Sequence, residues 1–446
     1  MDDVVIVGAG PVGSLLALTL ARRGHGVDVY ERRPDMRQVD IAAGRSINLA
    51  VSTRGLHALH HVGLDADVLD QAVAMPGRMT HALDGKLALL PYGSEREHIN
   101  SMSRSGLNKL LMTRAEETGR VRLHFNQRLA DYDFDLRVAR FEPFGYLRAP
   151  VIVGSDGSAS ALRACMGGEV SQEVLSSGYK ELTLPPKAGG FAMHRNALHI
   201  WPRGNFMLIA LPNRDGSFTC TLFLPFEGPA SFAAIEAPAD AERFFAETFP
   251  DALALIPRLG EALAEAPLGR MVTVKCARWS RGQAVLIGDA AHAIVPFFGQ
   301  GMNAGFEDCT VLMEILDHEA DWTRAFAELS DSRRPDADAI ADLAVENFVE
   351  MRDKVADPEF VLWKEVEAEL SRRFPGEYLS RYQLVTFTRV PYRVAQEAGR
   401  LQTTLLRDLT QTARTARDVD YSRAHSLIQQ RLLPMLRPYG PATHRR

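Results

Sequence analysis

The chain opens on a short apolar run, Val4–Val7, too short for a helix and read as a buried strand. A periodic apolar stretch follows at Leu15, Leu16, Leu18 and Leu20 and predicts a helix. A second apolar run at 27–30 ends in Glu31, and similar strand-like runs recur at 151–153 and 284–287. Between 176 and 269 the pattern changes. Runs at 199–202, 205–211 and 218–225 are β-rich, and Pro212-Asn213-Arg214-Asp215-Gly216 is a turn signal between the last two. They predict a sheet, followed by a helix near 239–249. From about residue 326 the period is helical, through Ile340, Leu343, Ala344 and Phe348, then 360–370, then 401–436. Pro358, Pro375 and Pro391 punctuate that region.

Glycines give the first strand a chemistry. Gly8-Ala9-Gly10-Pro11-Val12-Gly13 joins it to the helix, and Glu31 stands 23 residues after Gly8. Strand, GxGxxG, helix, strand and acid is the order of a dinucleotide-binding βαβ unit. Gly8 permits the tight turn, Gly10 lets backbone approach a pyrophosphate, and Gly13 lets helix and strand pack closely. Glu31 is placed for a ribose hydroxyl. NAD(P) and FAD share this fingerprint, so it does not choose between them.

Two later segments choose. Gly154-Ser155-Asp156-Gly157 follows the strand at 151–153, with Arg163 a few residues on. Gly288-Asp289-Ala290-Ala291-His292 follows the strand at 284–287 and runs through Pro296-Phe297 to Gly301-Met302-Asn303. Alone, Asp156-Gly157 reads as a turn and Asp289 as a helix cap. In this order, after the first motif, they resemble the single-component FAD monooxygenases of the para-hydroxybenzoate hydroxylase type. Further segments resemble the kynurenine-hydroxylating branch of that family: 44–52, Pro76-Gly77-Arg78-Met79, 103–111, His199-Ile200-Trp201-Pro202-Arg203, 218–223, 346–353 and 382–387.

The resemblance implies an α/β fold. A Rossmann-like FAD-binding domain (1–75, 95–175 and 270–325) carries an inserted β-sheet substrate domain (76–94 and 176–269) and a C-terminal helical region (326–446). It implies FAD as cofactor, with NADPH or NADH and O2 as co-substrates and L-kynurenine as the small-molecule substrate, converted to the 3-hydroxy product through a flavin C4a-hydroperoxide. The flavin carries the chemistry, so no catalytic side chain is expected. For FAD it points to Gly8, Gly10, Val12, Gly13, Glu31, Arg32, Ala50, Arg104, Leu129, Asp156, Asp289, Gly301, Met302 and Asn303. The N–H groups of Met302 and Asn303 would face the O2 edge of the ring, at a helix start.

For the substrate carboxylate the resemblance points to Arg78, Tyr92, Asn347 and Tyr382. Arg78 follows a Pro-Gly corner and can fork onto a carboxylate. The tyrosines offer O–H donors on apolar bodies, and Asn347 sits in a helix with Phe348 beside it. The aromatic ring would lie among Leu198, Met207, Ile209, Phe223, Pro296 and Phe297. Met207 and Ile209 share a strand face, which suits a pocket wall and an ordinary core equally. His292 invites a catalytic role but is read as a support of the flavin loop.

Composition narrows the alternatives. The 446 residues carry a net charge of −5 with no basic block, which argues against a nucleic-acid partner. No apolar run approaches the ~18 residues of a membrane span. The strand beginning at Val4 leaves no room for a presequence in this sequence. Cys165, Cys220, Cys276 and Cys309 have neither CxxC nor metal spacing, so reduced thiols, no metal and a cytoplasmic setting are expected. Oligomeric state is not legible. An enzyme acting on another aryl amino acid or an anthranilate-type substrate stays open, as does a non-catalytic FAD redox sensor. A flavin-dependent halogenase is disfavoured, since its Gly-Trp-x-Trp-x-Ile-Pro segment does not occur.

Overall fold

Short, fully buried strands rich in valine form the first layer, because a strand covered on both faces needs no polar alternation. In the computed structural model, which describes residues 3–39, 48–93, 97–187, 189–350 and 358–439, these strands make a six-stranded sheet. Its order is Ser280–Arg281, Ala284–Leu286, Val151–Gly154, Val4–Val7, Val27–Glu31, Val121–Phe125. All neighbours are parallel except the first pair. Val4 pairs with both Val151 and Val27, so the loops after Val7, Gly154, Glu31 and Leu286 crowd one edge. In an open parallel sheet that edge is where ligands bind.

A seven-stranded sheet forms the second layer. Its order is Gly269–Cys276, Val170–Leu184, Phe218–Pro225, Met207–Pro212, Leu198–Pro202, Gly77–His81, Leu87–Pro91. The three strands and the helix expected between 199 and 249 are present, the helix as Pro238–Thr248. Alternation assigns the faces. Leu208, Ala210, Leu222 and Leu224 pack with Phe245 and Phe249 under the helical cover. Met207, Ile209 and Phe223 face the other way.

Two small sheets were not foreseen. Arg128–Asp133, Val138–Glu142 and Gly145–Arg148 form a meander, and Leu49–Val51, Ile99–Met102 and Val73–Met75 form a second unit. The meander alternates buried Leu129, Tyr132, Ala139 and Phe141 with charged outward positions, so it lacks a continuous apolar run.

The C-terminal region packs Trp322–Val349, Pro358–Arg373, Arg381–Phe387 and Tyr392–Thr410 around one apolar core. The helical run expected at 401–436 is broken. One helix begins at Tyr392 directly after Pro391 and ends at Thr410, and another starts at Tyr421, capped by Asp420 accepting from the N–H groups of Ser422 and Arg423. Among the described residues no helix is long and apolar enough to cross a membrane, and no group of three or more His, Cys, Asp or Glu can hold a metal. Residues 44–47 and 351–353 of the resembling segments lie outside the described residues.

Candidate active site

Gly8, Gly10 and Gly13 play three different parts. Gly8 has φ +100°, and a Cβ there would strike the backbone of Ser155 and Asp156. A Cβ on Gly13 would overlap the Gly8 carbonyl and the Ser155 hydroxyl. A Cβ on Gly10 would meet nothing within 4 Å. The first and third glycines therefore serve packing, while the second faces open space at the start of the helix Pro11–Arg22, where N–H donors are free. We expect Gly10→Ala to fold with an unchanged apoprotein Tm but to bind FAD at least ten-fold more weakly. Gly13→Ala is expected to lose stability itself. Thermal melts and FAD titrations separate the two.

Side chains outside the expected set hold this turn. Ser155 donates to the Val7 and Gly8 carbonyls at 3.0 Å each, and Asn108 donates to the Ala9 carbonyl at 2.9 Å. Glu31 is buried, accepting from the Ala9 N–H at 2.9 Å and from the Arg33 N–H and Nε at 3.0 and 2.9 Å. Asp156 caps the helix Ala161–Met166, taking the Ser160 hydroxyl at 2.5 Å and the Ala161 N–H at 2.6 Å. Burial raises its pKa despite those donors. Arg163 then donates to the Ala290 carbonyl at 2.8 Å and to Ser158, tying this loop to the one at 288–292.

In the segment after Gly288, the helix Gly301–Leu316 opens with the N–H groups of Gly301, Met302 and Asn303, which no helical carbonyl can reach. The Asn303 side chain is committed elsewhere. Its amide donates to the Ala50 and Gly299 carbonyls at 2.9 Å each and accepts from the Ser52 N–H at 3.0 Å. Asn303 therefore fixes the helix start against the strand carrying Ala50, and only its backbone is left for a ligand. Val12 packs where a Cβ on Gly288 or Gly305 would lie, so it joins the nucleotide turn to this segment. The Asp289 carboxylate has no hydrogen-bond partner among the described residues and is half-buried. Arg32 and Arg104 are exposed, and Leu129 lies in the core with Tyr30 and Phe141.

Arg78 stands on Gly77–His81, paired with Leu198 on one side and Leu90 on the other. Its guanidinium carbon lies 4.7 Å from the Tyr382 ring centre and 5.3 Å from that of Tyr92, and the two rings stack at 5.1 Å. Burial works against the Arg78 charge, but the facing Tyr382 and Tyr92 hydroxyls outweigh it and raise its pKa. Burial pushes the Tyr92 phenol well above its ordinary value. Its hydroxyl faces Tyr382 and Arg78 but forms no well-aligned hydrogen bond with either. A partly buried cation beside a buried, poorly partnered hydroxyl is a costly arrangement that an anionic ligand would relieve.

The apolar wall adjoins this group. Leu198, Ile209, Tyr92 and Tyr382 share one cluster, while Met207, Phe223 and Phe297 share another, with Ile209 in both. Pro296–Phe298 forms a short turn whose Phe297 ring lies 5.1 Å from Phe223 and 4.3 Å from Phe348. Asn347 donates its amide to the Phe297 carbonyl at 2.8 Å, so it braces this turn from the long helix Trp322–Val349. Phe298 stacks on Tyr382 at 5.7 Å, and the turn thereby links wall and cation.

Comparison with known proteins agrees with this geometry. Residues 1–347 match a family model described as an FAD binding domain. A kynurenine 3-monooxygenase of Myxococcus xanthus (strain DK1622) is 54% identical, the alignment covering 98% of this chain and 97% of that protein. The chain belongs to the kynurenine 3-monooxygenase family. The corresponding protein of Xanthomonas campestris pv. campestris (strain 8004) is 45% identical, with 97% of each chain covered. Among solved structures, 2-methyl-3-hydroxypyridine-5-carboxylic acid oxygenase superposes with TM-score 0.68 at 22% identity, covering 80% of this chain and 94% of that one. PqsL of P. aeruginosa superposes with TM-score 0.65 at 23% identity, covering 79% and 96%. At such identities these two speak for the fold alone.

As a kynurenine 3-monooxygenase family member the chain is a flavoprotein, and its residues fit FAD on their own evidence. The open space at Gly10, the free helix start at 301–303 and the unpaired Asp289 lie on segments that Val12, Ser155 and Arg163 bind together. Ser155, Asn108 and Arg163 carry this assembly, and although the motif segments contain them, no role was assigned to them from sequence. Their signal there is weak, because each bonds to backbone far away in the chain.

Proposed function

We propose that this chain hydroxylates L-kynurenine to 3-hydroxy-L-kynurenine with bound FAD, O2 and NADPH or NADH. One observation carries the reading: a half-buried arginine set against two stacked tyrosines, one with a poorly partnered hydroxyl, opening onto an apolar wall. A cation beside an apolar wall suits an amino acid with a large aromatic side chain. In this reading Arg78, Tyr92 and Tyr382 hold the α-carboxylate, and Asn347 acts from the Phe297 side. Leu198, Met207, Ile209, Phe223, Pro296 and Phe297 flank the ring. FAD would be held by Gly8, Gly10, Val12, Gly13, Glu31, Arg32, Ala50, Arg104, Leu129, Asp156, Asp289, Gly301, Met302 and Asn303.

When bound, FAD supplies the activation of O2 and the oxygen atom that is transferred. The protein orients and dries the site. Fixing the carboxylate at Arg78 sets which ring carbon faces the flavin, and the apolar wall excludes water that would divert the oxygen to peroxide. The free N–H groups at 301–303 favour negative charge on the reduced ring. No side-chain nucleophile is required. The substrate's own ring amine makes the ortho carbon electron-rich.

The three-part division drawn from the sequence, and a cytoplasmic location supported by four dispersed free thiols, belong to the same proposal. The decisive test incubates the purified holoenzyme with L-kynurenine, NADPH and O2. A product one oxygen atom heavier that matches 3-hydroxykynurenine is expected. Flavin reduction without such a product would overturn the proposal.

A further inference from the structure

The two segments that would meet the flavin in the function proposed above, on which this inference rests, are the loop Gly288-Asp289 and the start of the helix Gly301–Leu316, and one carboxylate holds them together. Asp308 lies two turns into that helix and is completely buried. Its Oδ2 accepts the Gly288 N–H at 2.9 Å and faces His292 Nε2 at 2.6 Å, while its Oδ1 accepts from Arg333 Nε at 2.9 Å. Arg333 also pairs with Glu307 at 2.9 Å and donates to the Ala304 carbonyl. One oxygen therefore grips the acid loop and the other grips the C-terminal helical region, with the carboxylate itself riding on the flavin-facing helix.

His292 is aimed at this task. It is buried, it stacks on Trp279 at 4.9 Å, and its Nδ1 has no partner among the described residues. Its polar contact is thus the one to Asp308. The backbone is fitted to the same point. Gly288 adopts φ +56°, and its Cα stands 3.2 Å from where a Gly305 Cβ would lie, so a side chain at Gly305 would crowd the loop. Among the described residues, the side-chain hydrogen bonds that cross this contact end on Asp308.

We propose that Asp308 is a positioning residue for FAD, setting the distance between the Asp289 carboxylate and the helix-start N–H groups, and that His292 acts through it. Neither side chain touches the flavin. A change in either displaces the two sets of flavin contacts relative to one another, so cofactor affinity and flavin electronics move even where the chain stays folded.

The test compares holoenzymes of wild type, His292→Leu, His292→Gln and Asp308→Asn. FAD dissociation is followed by flavin fluorescence on dilution, together with the visible flavin spectrum and midpoint potential. His292→Leu keeps an apolar body against Trp279 but loses the donor. It is expected to raise the FAD dissociation constant about ten-fold, ~1.4 kcal/mol, and to shift spectrum and potential. His292→Gln restores a donor and is expected to stay within about two-fold of wild type. Asp308→Asn is expected to follow His292→Leu more strongly, and if it does not fold the His292 pair decides. The proposal is overturned if His292→Leu is merely less heat-stable, with FAD affinity, spectrum and potential unchanged. It is equally overturned if Gln is as weak as Leu, because ring stacking rather than the donor then holds the loop.

Discussion

Arg78→Ala is expected to raise KM for L-kynurenine roughly a hundred-fold while the purified protein keeps its full complement of FAD. The size follows from what is left behind. Truncating one partner of a buried, hydrogen-bonded charge pair costs about 2–5 kcal/mol, mostly because the other charge stays buried and unpaired, and ~2.7 kcal/mol is a hundred-fold. In the proposed orientation the stranded charge is the substrate carboxylate, beside Tyr92 and Tyr382, whose rings lie 5.3 and 4.7 Å from the guanidinium carbon. The selectivity for KM over flavin content follows from topology. Arg78 belongs to the seven-stranded sheet, and the nucleotide turn belongs to the six-stranded one. Arg78→Lys keeps the charge but loses the planar fork and the stacking between aromatic faces, so an intermediate KM is expected. Steady-state kinetics with flavin quantitation check all three. If substrate saturation hardly moves in Arg78→Ala, the carboxylate is held elsewhere and the proposed orientation of the ring falls with it.

The legible parts of this protein are those where one local stretch carries the whole physical requirement. The strand Val4–Val7 is apolar because both its faces are covered, and the glycine turn after it needs three positions without side chains within six residues. The Gly288–Asn303 block combines a strand end, an unpaired acid and a helix start in sixteen residues, and it reads as a cofactor segment for the same reason. Arg78 was legible through its Pro-Gly corner and the family resemblance, whereas its neighbours Tyr92 and Tyr382 were named through the resemblance and their polar-tipped apolar rings, not through any local pattern. Tyr382 reaches it from a helix some 300 residues downstream, and no periodicity announces that meeting. Asn347 was expected beside the carboxylate for its amide at an apolar boundary, and the structure engages that amide with the Phe297 carbonyl. The meander at 128–148 alternates apolar and charged residues, which is itself a strand pattern, but it stands between the motifs and was not read. The ion cluster around Arg333 stayed hidden because charged residues on a helix read as a solvated face until the fold buries them.

That cluster carries the largest expected effect on stability. Arg333→Met should lower the Tm of the holoenzyme by roughly 10 °C near neutral pH. Arg333 is buried and lies 2.9 Å from both Glu307 and Asp308, themselves buried. Removing one partner of a buried ion pair costs about 3–5 kcal/mol, and at ~2–4 °C per kcal/mol for a large domain the shift is of that order. Methionine fills similar volume, so the loss is electrostatic rather than a cavity. The pH dependence makes the cause visible. Burial alone would raise both carboxyls, but Arg54 and Arg333 hold Glu307 below its usual range, and His292 and Arg333 do the same for Asp308. A depressed folded pKa contributes stability that is present above the unfolded value, near 4, and is lost as pH falls through the folded value. In Arg333→Met one cation is gone while Arg54 and His292 remain, so the two carboxyls are depressed less. The variant then has less of this stability to lose as pH falls below about 4, and it recovers relative to wild type. The Tm gap should therefore be widest near neutral pH and narrower at about pH 3.5. A gap of the same size at both would mean that Arg333 stabilises through packing, and that Glu307 and Asp308 are satisfied without its charge.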